Sequence, residues 1–303
     1  MKLKKCIALL LSVVSLTILF SACAKKDETN KWGIDKLVIV LGPGEDTPDV
    51  IETRNVFDKA LSEWLGIPVE EYRGTDYSAA IEAMRTGHAQ VAQLGPFAYI
   101  HAVERAGAEC IVTTGIDGAH GYYSYIVVHV DSDIMSMDDI VGRSFGFVDP
   151  ESASGNIVPS NEILNYFADS HTDLTFDDLH MNGKFFSSAV FTGNHSNSIQ
   201  GVLRGDIDVA GISSSTLTRE INNGNVDPEK LRILHISPLI PSSPIAVQKD
   251  LPEDLKALIK EFFLAWDDKD FWDIRTKGGR YISVEDYEYA YTRELRDKYN
   301  LSD

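Results

Sequence analysis

Five consecutive apolar residues, LVIVL at positions 37–41, constrain this chain more than any other stretch. A strand with water on one face alternates apolar and polar residues. A strand that does not alternate is covered on both faces, as in a parallel sheet flanked by helices. The segments that follow supply the covers. Val56/Phe57, Ala60/Leu61 and Trp64/Leu65 recur at four-residue spacing and stop at Gly66, the pattern of an amphipathic helix with a glycine C-cap. IPVEEYRG reads as a strand, TDYSAAIEAMRTGH as a helix with Ala80, Ile81 and Met84 on one face, and AQVAQLG as a strand. PFAYIHAVERAG then reads as a helix and ECIVTT as a strand. This alternation predicts an α/β fold with a largely parallel sheet.

After GYYSYIVVHV, a further strand, the cycle restarts. SMDDIVGR reads as a short helix, RSFGFV as a strand, about 155–168 as a helix, and SAVFTG as a strand. IQGVLRG is helix-like, DIDVAGI a strand, SSTLTREINNG a helix, and LRILHISP a strand leading out of this half. LPEDLKALIKEFFLAW is a strong helix with Pro252 near its first turn, and SVEDYEYAYTRELRDKY a last one opening on a capping-box-like Ser283…Asp286. Two α/β halves predict two lobes joined by two crossings, with a ligand in the cleft between them. The lobes are placed at 37–121 and 122–236, and 237–303 returns to the first lobe with the C-terminal helices.

The front of the chain speaks to location. Lys2, Lys4 and Lys5 precede a mostly apolar run from Ile7 to Phe20, short for a membrane span and suited to a signal-peptide core. Ser21, Ala22 and Cys23 follow, which resembles the lipobox of bacterial lipoproteins, with phenylalanine at 20 where leucine is usual. The resemblance implies a signal peptide over 1–22, acylation of Cys23 into the bilayer, a polar tether over 23–36, and an extracytoplasmic, lipid-anchored protein. An ordinary cleaved signal peptide or a retained anchor is the alternative. Cys110, in AECIVTTG, reads as a buried small hydrophobe. No CxxC or Cys/His cluster points to a metal, and no motif points to a cofactor. The formal net charge is −18, and removing 1–22, with three lysines and no acid, leaves −21. Such a chain does not seek nucleic acid or an anionic membrane surface. A small anion is still admissible where local N–H dipoles oppose the global field.

DPESASGNIVPS, at 149–160, sits where a helix begins and has no lysine or arginine in it. It supports two readings. Serine and glycine make turns; equally, an open helix N-terminus holds anions through unpaired N–H groups and the positive end of its dipole. On the second reading Ser152 and Ser154 add hydroxyl donors and Gly155 lets a ligand approach the backbone. Pro159 removes one N–H and is tolerable only near the first turn, which leaves the helix start open.

Several stretches occur in a telling order: GTDYSAAIEAMRTGHAQVAQLGPFAY, AHGYYSYIVV, RSFGFVDPESASGNIVPS, FTGNHSNSIQGVLRGDIDVAGI and LRILHISPLIPSSPIAV. Together they resemble the PhnD-like family of phosphate/phosphite/phosphonate-binding proteins of ABC importers, over about 37–266. The resemblance implies a type II periplasmic-binding-protein fold, two α/β lobes on a two-strand hinge. It also implies a small phosphorus oxyanion as ligand and a permease with its ATPase as partners. The family's serine-rich phosphonyl turn falls on Ser152, Ala153 and Ser154, with alanine where threonine is frequent. Its D-Y-x-x-x-x-E-A tyrosine falls on Tyr77, its crossover tyrosine on Tyr122 or the adjacent Tyr123, and its histidine on His195. Members that take 2-aminoethylphosphonate hold the ammonium with carboxylates, and those positions are Ser215 and Ser243 here. A hydroxyl replaces the charge-assisted pair, so the resemblance implies a cargo without an amino group.

An enzyme is the first rival, but GxSxG, HExxH and GxxxxGK[ST] are all missing. The others are a binding protein for another oxyanion, such as a sulfonate, and a sensor that presents its ligand to a membrane receptor.

Overall fold

A computed structural model describes residues 31–44 and 46–301. The expected signal peptide, Cys23 and most of the tether lie outside the described residues. Residues 31–35 form turns, and a compact unit runs from residue 36 onward.

The pentad LVIVL is β1 (Leu37–Leu41), and all five residues are buried. Successive side chains of a strand point to opposite faces, so a fully apolar strand needs a core on each side. Val38 and Val40 join one cluster with Ala80, Ile81, Met84, Phe97 and Ile100. The opposite face is covered by α1 (Pro48–Leu65), whose Phe57 meets Phe262, Phe263, Trp266 and Phe271 edge-on or stacked at centroid distances of 5.1–5.5 Å. Next come β2 (Val69–Arg73), α2 (Tyr77–Arg85), β3 (Val91–Gln93), α3 (Pro96–Ala106) and β4 (Ala108–Ile116). Asp76 caps α2 by accepting the N–H of Ala79 at 2.7 Å.

The chain then crosses into a second sheet through β5 (Ser124–His129), β6 (Ser144–Phe147) and the helix that carries the serine turn. Its first turn, Ala153–Ile157, is wound as a π-helix and runs on into α4 (Val158–Tyr166). After α5 (Phe176–His180) come β7 (Ser188–Phe191), α6 (His195–Arg204), β8 (Val209–Ser213), α7 (Ser214–Asn222) and β9 (Leu231–Ile236). The return crossing leads to β10 (Pro244–Gln248), α8 (Glu253–Ala265), α9 (Lys269–Arg275), β11 (Gly279–Ser283) and α10 (Ala290–Tyr299).

The sheets have the orders β11-β4-β10-β3-β1-β2 and β7-β6-β8-β5-β9. In each lobe the strand entered just after a crossing runs against its neighbours. β5 is antiparallel to β8 and β9, and β10 is antiparallel to β3 and β4. The sheets are therefore mixed where apolar runs predict mostly parallel ones, because periodicity reports burial and not direction. The crossings hold each other: Tyr122 and Ile240 exchange N–H···O=C bonds of 2.9 and 2.8 Å, and the Gly121 N–H donates to Ser242 Oγ at 2.9 Å.

Two local readings need correction. The helix over 155–168 starts at Ala153 and ends at Tyr166. The capping box is not at Ser283…Asp286: Ser283 ends β11, and the box is Glu285…Glu288, ahead of a short 3-10 turn. The segment 267–282, which periodicity leaves unassigned, contributes both α9 and β11.

Candidate functional site

Parallel strands deliver their carboxyl ends, and the helices that follow them, to one place. Here β1, β3, β6 and β8 all end at the cleft between the lobes. The N-termini of α2, α3, the π-turn helix and α7 open into it, and Gly42, Gln93, Gly95, Ser152 and Ser213 all line it. Several positive dipole ends converge there, which gives a strongly acidic chain a locally favourable field for an anion.

The serine turn is fixed by hydrogen bonds that leave its donors open. Ser152 Oγ accepts the N–H of Gly155 at 3.1 Å, and Ser152 O accepts those of Asn156 and Ile157. The N–H groups of Ala153 and Ser154, first in the helix, have no acceptor among the described residues. Pro159 explains the wide first turn. It lacks the N–H that a helix would return to the carbonyl of Ser154 or Gly155. Those carbonyls bind elsewhere instead: Ser154 O accepts from Ser124 Oγ at 2.7 Å, and Gly155 O from Val148 N–H at 3.0 Å. The proline thus ties the turn to β5 and β6. Gly155 is not among the residues that line the cavity. Its glycine is required underneath, where a Cβ would fall 2.4 Å from Val148.

His195 opens α6 and reaches the turn. Its Nδ1 accepts the N–H of Ser213 at 3.0 Å, so Nε2 carries the hydrogen and lies 3.3 Å from Ser154 Oγ. Protonating Nδ1 would break the Ser213 bond. Burial, with Arg219 nearby, pushes the imidazole pKa down to about 3. The side chain is a neutral donor at any physiological pH. The same polarity excludes a Ser-His nucleophile, because Nε2 is a donor toward Ser154 and has no lone pair to take its proton.

The first lobe supplies the facing wall. Tyr77 begins α2 and is half-buried, and desolvation of its hydroxyl raises the phenol pKa strongly. Its ring lies against two glycines: a Cβ at Gly42 would fall 2.5 Å from its Cε1, and one at Gly95 3.0 Å from its Oη. Tyr122, on the first crossing, is raised to about 12 by burial, with an opposing hydrogen bond from Ser154. Tyr123 also lines the cleft but is largely exposed. Ser215 lines the cavity with its hydroxyl 2.7 Å from Ser213 Oγ, and Ser243 lines it on the return crossing. The structure therefore brings Tyr77, Tyr122, Ser152, Ala153, Ser154, His195, Ser215 and Ser243 together. The lobes touch beside them: His101 Nδ1 lies 2.6 Å from Glu151 Oε2, and the Tyr299 hydroxyl donates to Asn161 Oδ1 at 2.8 Å.

Sequence reading misses the charged members of the lining: Arg73, Arg219, Glu220 and Arg275. No motif marks them, and each lies on an element whose orientation only the fold reveals. Among the described residues Glu220 is the only Asp or Glu in the lining, and it is engaged. Oε1 accepts from Ser196 at 3.1 Å and Arg219 at 3.0 Å, and Oε2 from Asn225 at 2.9 Å. Arg73 donates to Asp46 Oδ1 and Gly42 O at 2.9 and 2.7 Å.

Two mixed α/β lobes, a paired double crossing and a cleft at the strand ends define a type II periplasmic binding protein. Within that class, the chain belongs to the family described as ABC transporter, phosphonate, periplasmic substrate-binding protein, whose model matches residues 39–289. These are binding proteins, not enzymes. The chain is 29% identical over 213 residues to the phosphonates-binding periplasmic protein of Escherichia coli, covering 69% of this chain and 59% of that one. It is 28% identical over 262 residues to the phosphate-import protein PhnD of Mycolicibacterium smegmatis, covering 82% and 78%. Among solved structures it is similar to the binding component of an ABC phosphonate transporter of Pseudomonas aeruginosa, with a TM-score of 0.74, 23% identity and coverage of 88% and 86%. PhnD1 of Prochlorococcus marinus in complex with methylphosphonate gives 0.73, 22%, and 88% and 98%.

Proposed function

We propose that this protein is the extracytoplasmic binding component of an ABC importer. It takes a small phosphorus oxyanion (phosphonate, phosphite or phosphate) that lacks an amino group. It is anchored to the membrane through acylated Cys23 and delivers its cargo to a permease and ATPase. The observation that carries this reading is the pair of unpartnered N–H groups at Ala153 and Ser154. They open into the cleft beside Ser154 Oγ and the neutral Nε2–H of His195. On this reading Tyr77, Tyr122 and Ser152 complete a cage of neutral donors. Ligand charge meets dipoles and hydroxyls, which suits a carrier that must release what it binds.

The amine-free cargo follows from the lining. Ser215 and Ser243 bring no charge, and both oxygens of Glu220 are already taken. An ammonium entering this cleft would lose its water without gaining a free carboxylate among the described residues, while meeting three arginines.

Calorimetric titration of the chain lacking residues 1–23 tests this against phosphite, methylphosphonate, phosphate, 2-aminoethylphosphonate, sulfate and taurine. We expect an amine-free phosphorus anion to bind at least about tenfold more tightly than 2-aminoethylphosphonate, the effect of one charge-assisted contact. Preference for 2-aminoethylphosphonate would overturn the reading of the lining. Preference for taurine or sulfate would move the protein to another oxyanion.

A further inference from the structure

The cavity measures 630 Å³, inside the range of about 300–1,000 Å³ that holds drug-sized ligands. Phosphite or methylphosphonate fills a small part of it. The rest extends to Thr47, Val50, Trp272, Arg275 and Tyr281.

Arg275 ends α9. Among the described residues its guanidinium makes no hydrogen bond and no ion pair, and its Nε is enclosed without an acceptor. The guanidinium lies 4.3 Å from the ring centre of Phe271, which leaves the group shielded but unneutralised. Of the acids nearby none pairs with it, and Asp58, whose Oδ1 has no hydrogen-bond partner, makes no ion pair with it among the described residues. Glu71 pairs with Arg54, and Asp46 pairs with both Arg54 and Arg73. Burial lowers the pKa of Arg275, but a guanidinium stays charged across the physiological range. A chain with 46 acidic residues against 28 basic ones has no shortage of partners for an arginine. It nevertheless leaves this one facing the cavity with its planar fork of donors unused.

We propose that Arg275 forms a second anion subsite in the cleft, so that the cargo carries another oxyanion, carboxylate or phosphoryl, opposite its phosphonyl group. This rests on the phosphonyl reading of the serine turn. The turn holds one end through neutral donors, and Arg275 holds the other through a bidentate, charge-assisted pair. The cargo is then a bifunctional phosphonate or phosphate ester rather than a bare oxyanion. The arginine also sets the orientation in which it binds.

The test is calorimetric titration with phosphonocarboxylates of one, two and three methylenes, alkylphosphonates of matched length, methylphosphonate and pyrophosphate. The best phosphonocarboxylate is expected to exceed its matched alkylphosphonate by about 10- to 100-fold, the range of one buried charge-assisted contact. Pyrophosphate in its place would assign the second group as phosphoryl. Arg275→Met is expected to erase the preference and Arg275→Lys to keep part of it, with thermal melts confirming that both variants fold. Methylphosphonate binding with no preference for a second anion in the wild type would overturn this proposal and leave the serine-turn reading intact. An undiminished preference in Arg275→Met would overturn it as well. Failure of every phosphonate to bind would bring down the serine-turn reading, and this proposal with it.

Discussion

At the serine turn the cleft offers only neutral donors: two backbone N–H groups, hydroxyls, and an imidazole held neutral by its bond to Ser213. At the other end it offers a guanidinium that makes no hydrogen bond or ion pair among the described residues. The first arrangement is preorganised by covalent geometry, since the proline-widened turn cannot rotate its N–H groups away. The second hangs on one flexible side chain held by a ring and a cluster of ion pairs behind it. A neutral cage distinguishes ligands by shape and by the number of donors. A lone guanidinium distinguishes them by charge. Together they let an acidic protein bind an anion and still require a particular one.

The largest expected effect comes from making the neutral end charged. Ser154→Asp puts a carboxylate among the open N–H groups, and phosphonate affinity should fall by at least about 100-fold as like charges meet in a desolvated site. Calorimetry on the folded variant reads this directly. Retention of wild-type affinity would place the phosphonyl group somewhere other than the turn.

A smaller effect is expected behind the charged end. Asp58 lies near Arg54, Glu71 and Arg275, and its carboxyl is raised to about 7 by burial, with the charge of Glu71 adding to it. The folded chain therefore holds a proton that the unfolded chain has released, and stability falls as pH rises from about 4 to about 7. Asp58→Asn should leave the melting temperature unchanged near pH 4 and raise it by about 2–4 °C at pH 8. That corresponds to on the order of 1 kcal/mol, discounted because the side chain is partly solvated. Thermal melts at both pH values check the sign, and destabilisation at both would show that the carboxylate is needed where it stands.

The smallest expected effect is a null. With its pKa near 3, His195 does not titrate between pH 5.5 and 8.5. Affinity for methylphosphonate over that range should change by less than about twofold once the ligand's own ionisation is removed. A rise in affinity as pH falls through 6 to 7, lost in His195→Gln, would show that the imidazole takes up a proton on binding.

The neutral end was legible in the sequence and the charged end was not. DPESASGNIVPS fits both a turn and an open helix N-terminus by composition, and the family resemblance favours the second. Tyr77 and His195 are pointed to only by the family resemblance. Arg275 lies in DDKDFWDIRTKGGRYIS, a run with too few turns for helical period and too few residues for strand alternation. It becomes α9 and β11 only through packing of Phe271, Trp272 and Tyr281 against the aromatic cluster on α1 and α8. Gly155 shows the converse. The sequence marks it as special, but the reason is the wall of Val148 beneath it. A missing side chain does not say which side needs the space.

The inserted strands bear on the order in which this molecule can assemble itself. The second lobe is continuous, with every strand of its sheet between residues 124 and 236. The first begins earlier, but the strand that joins β3 to β4 is β10, and it leaves the ribosome only after the whole second lobe has passed. Until then β3 and β4 expose the edges that β10 will occupy, with no partner in the nascent chain. Lobe two can therefore mature as a unit while lobe one waits. The cleft, which needs both, is the last part of the protein to exist.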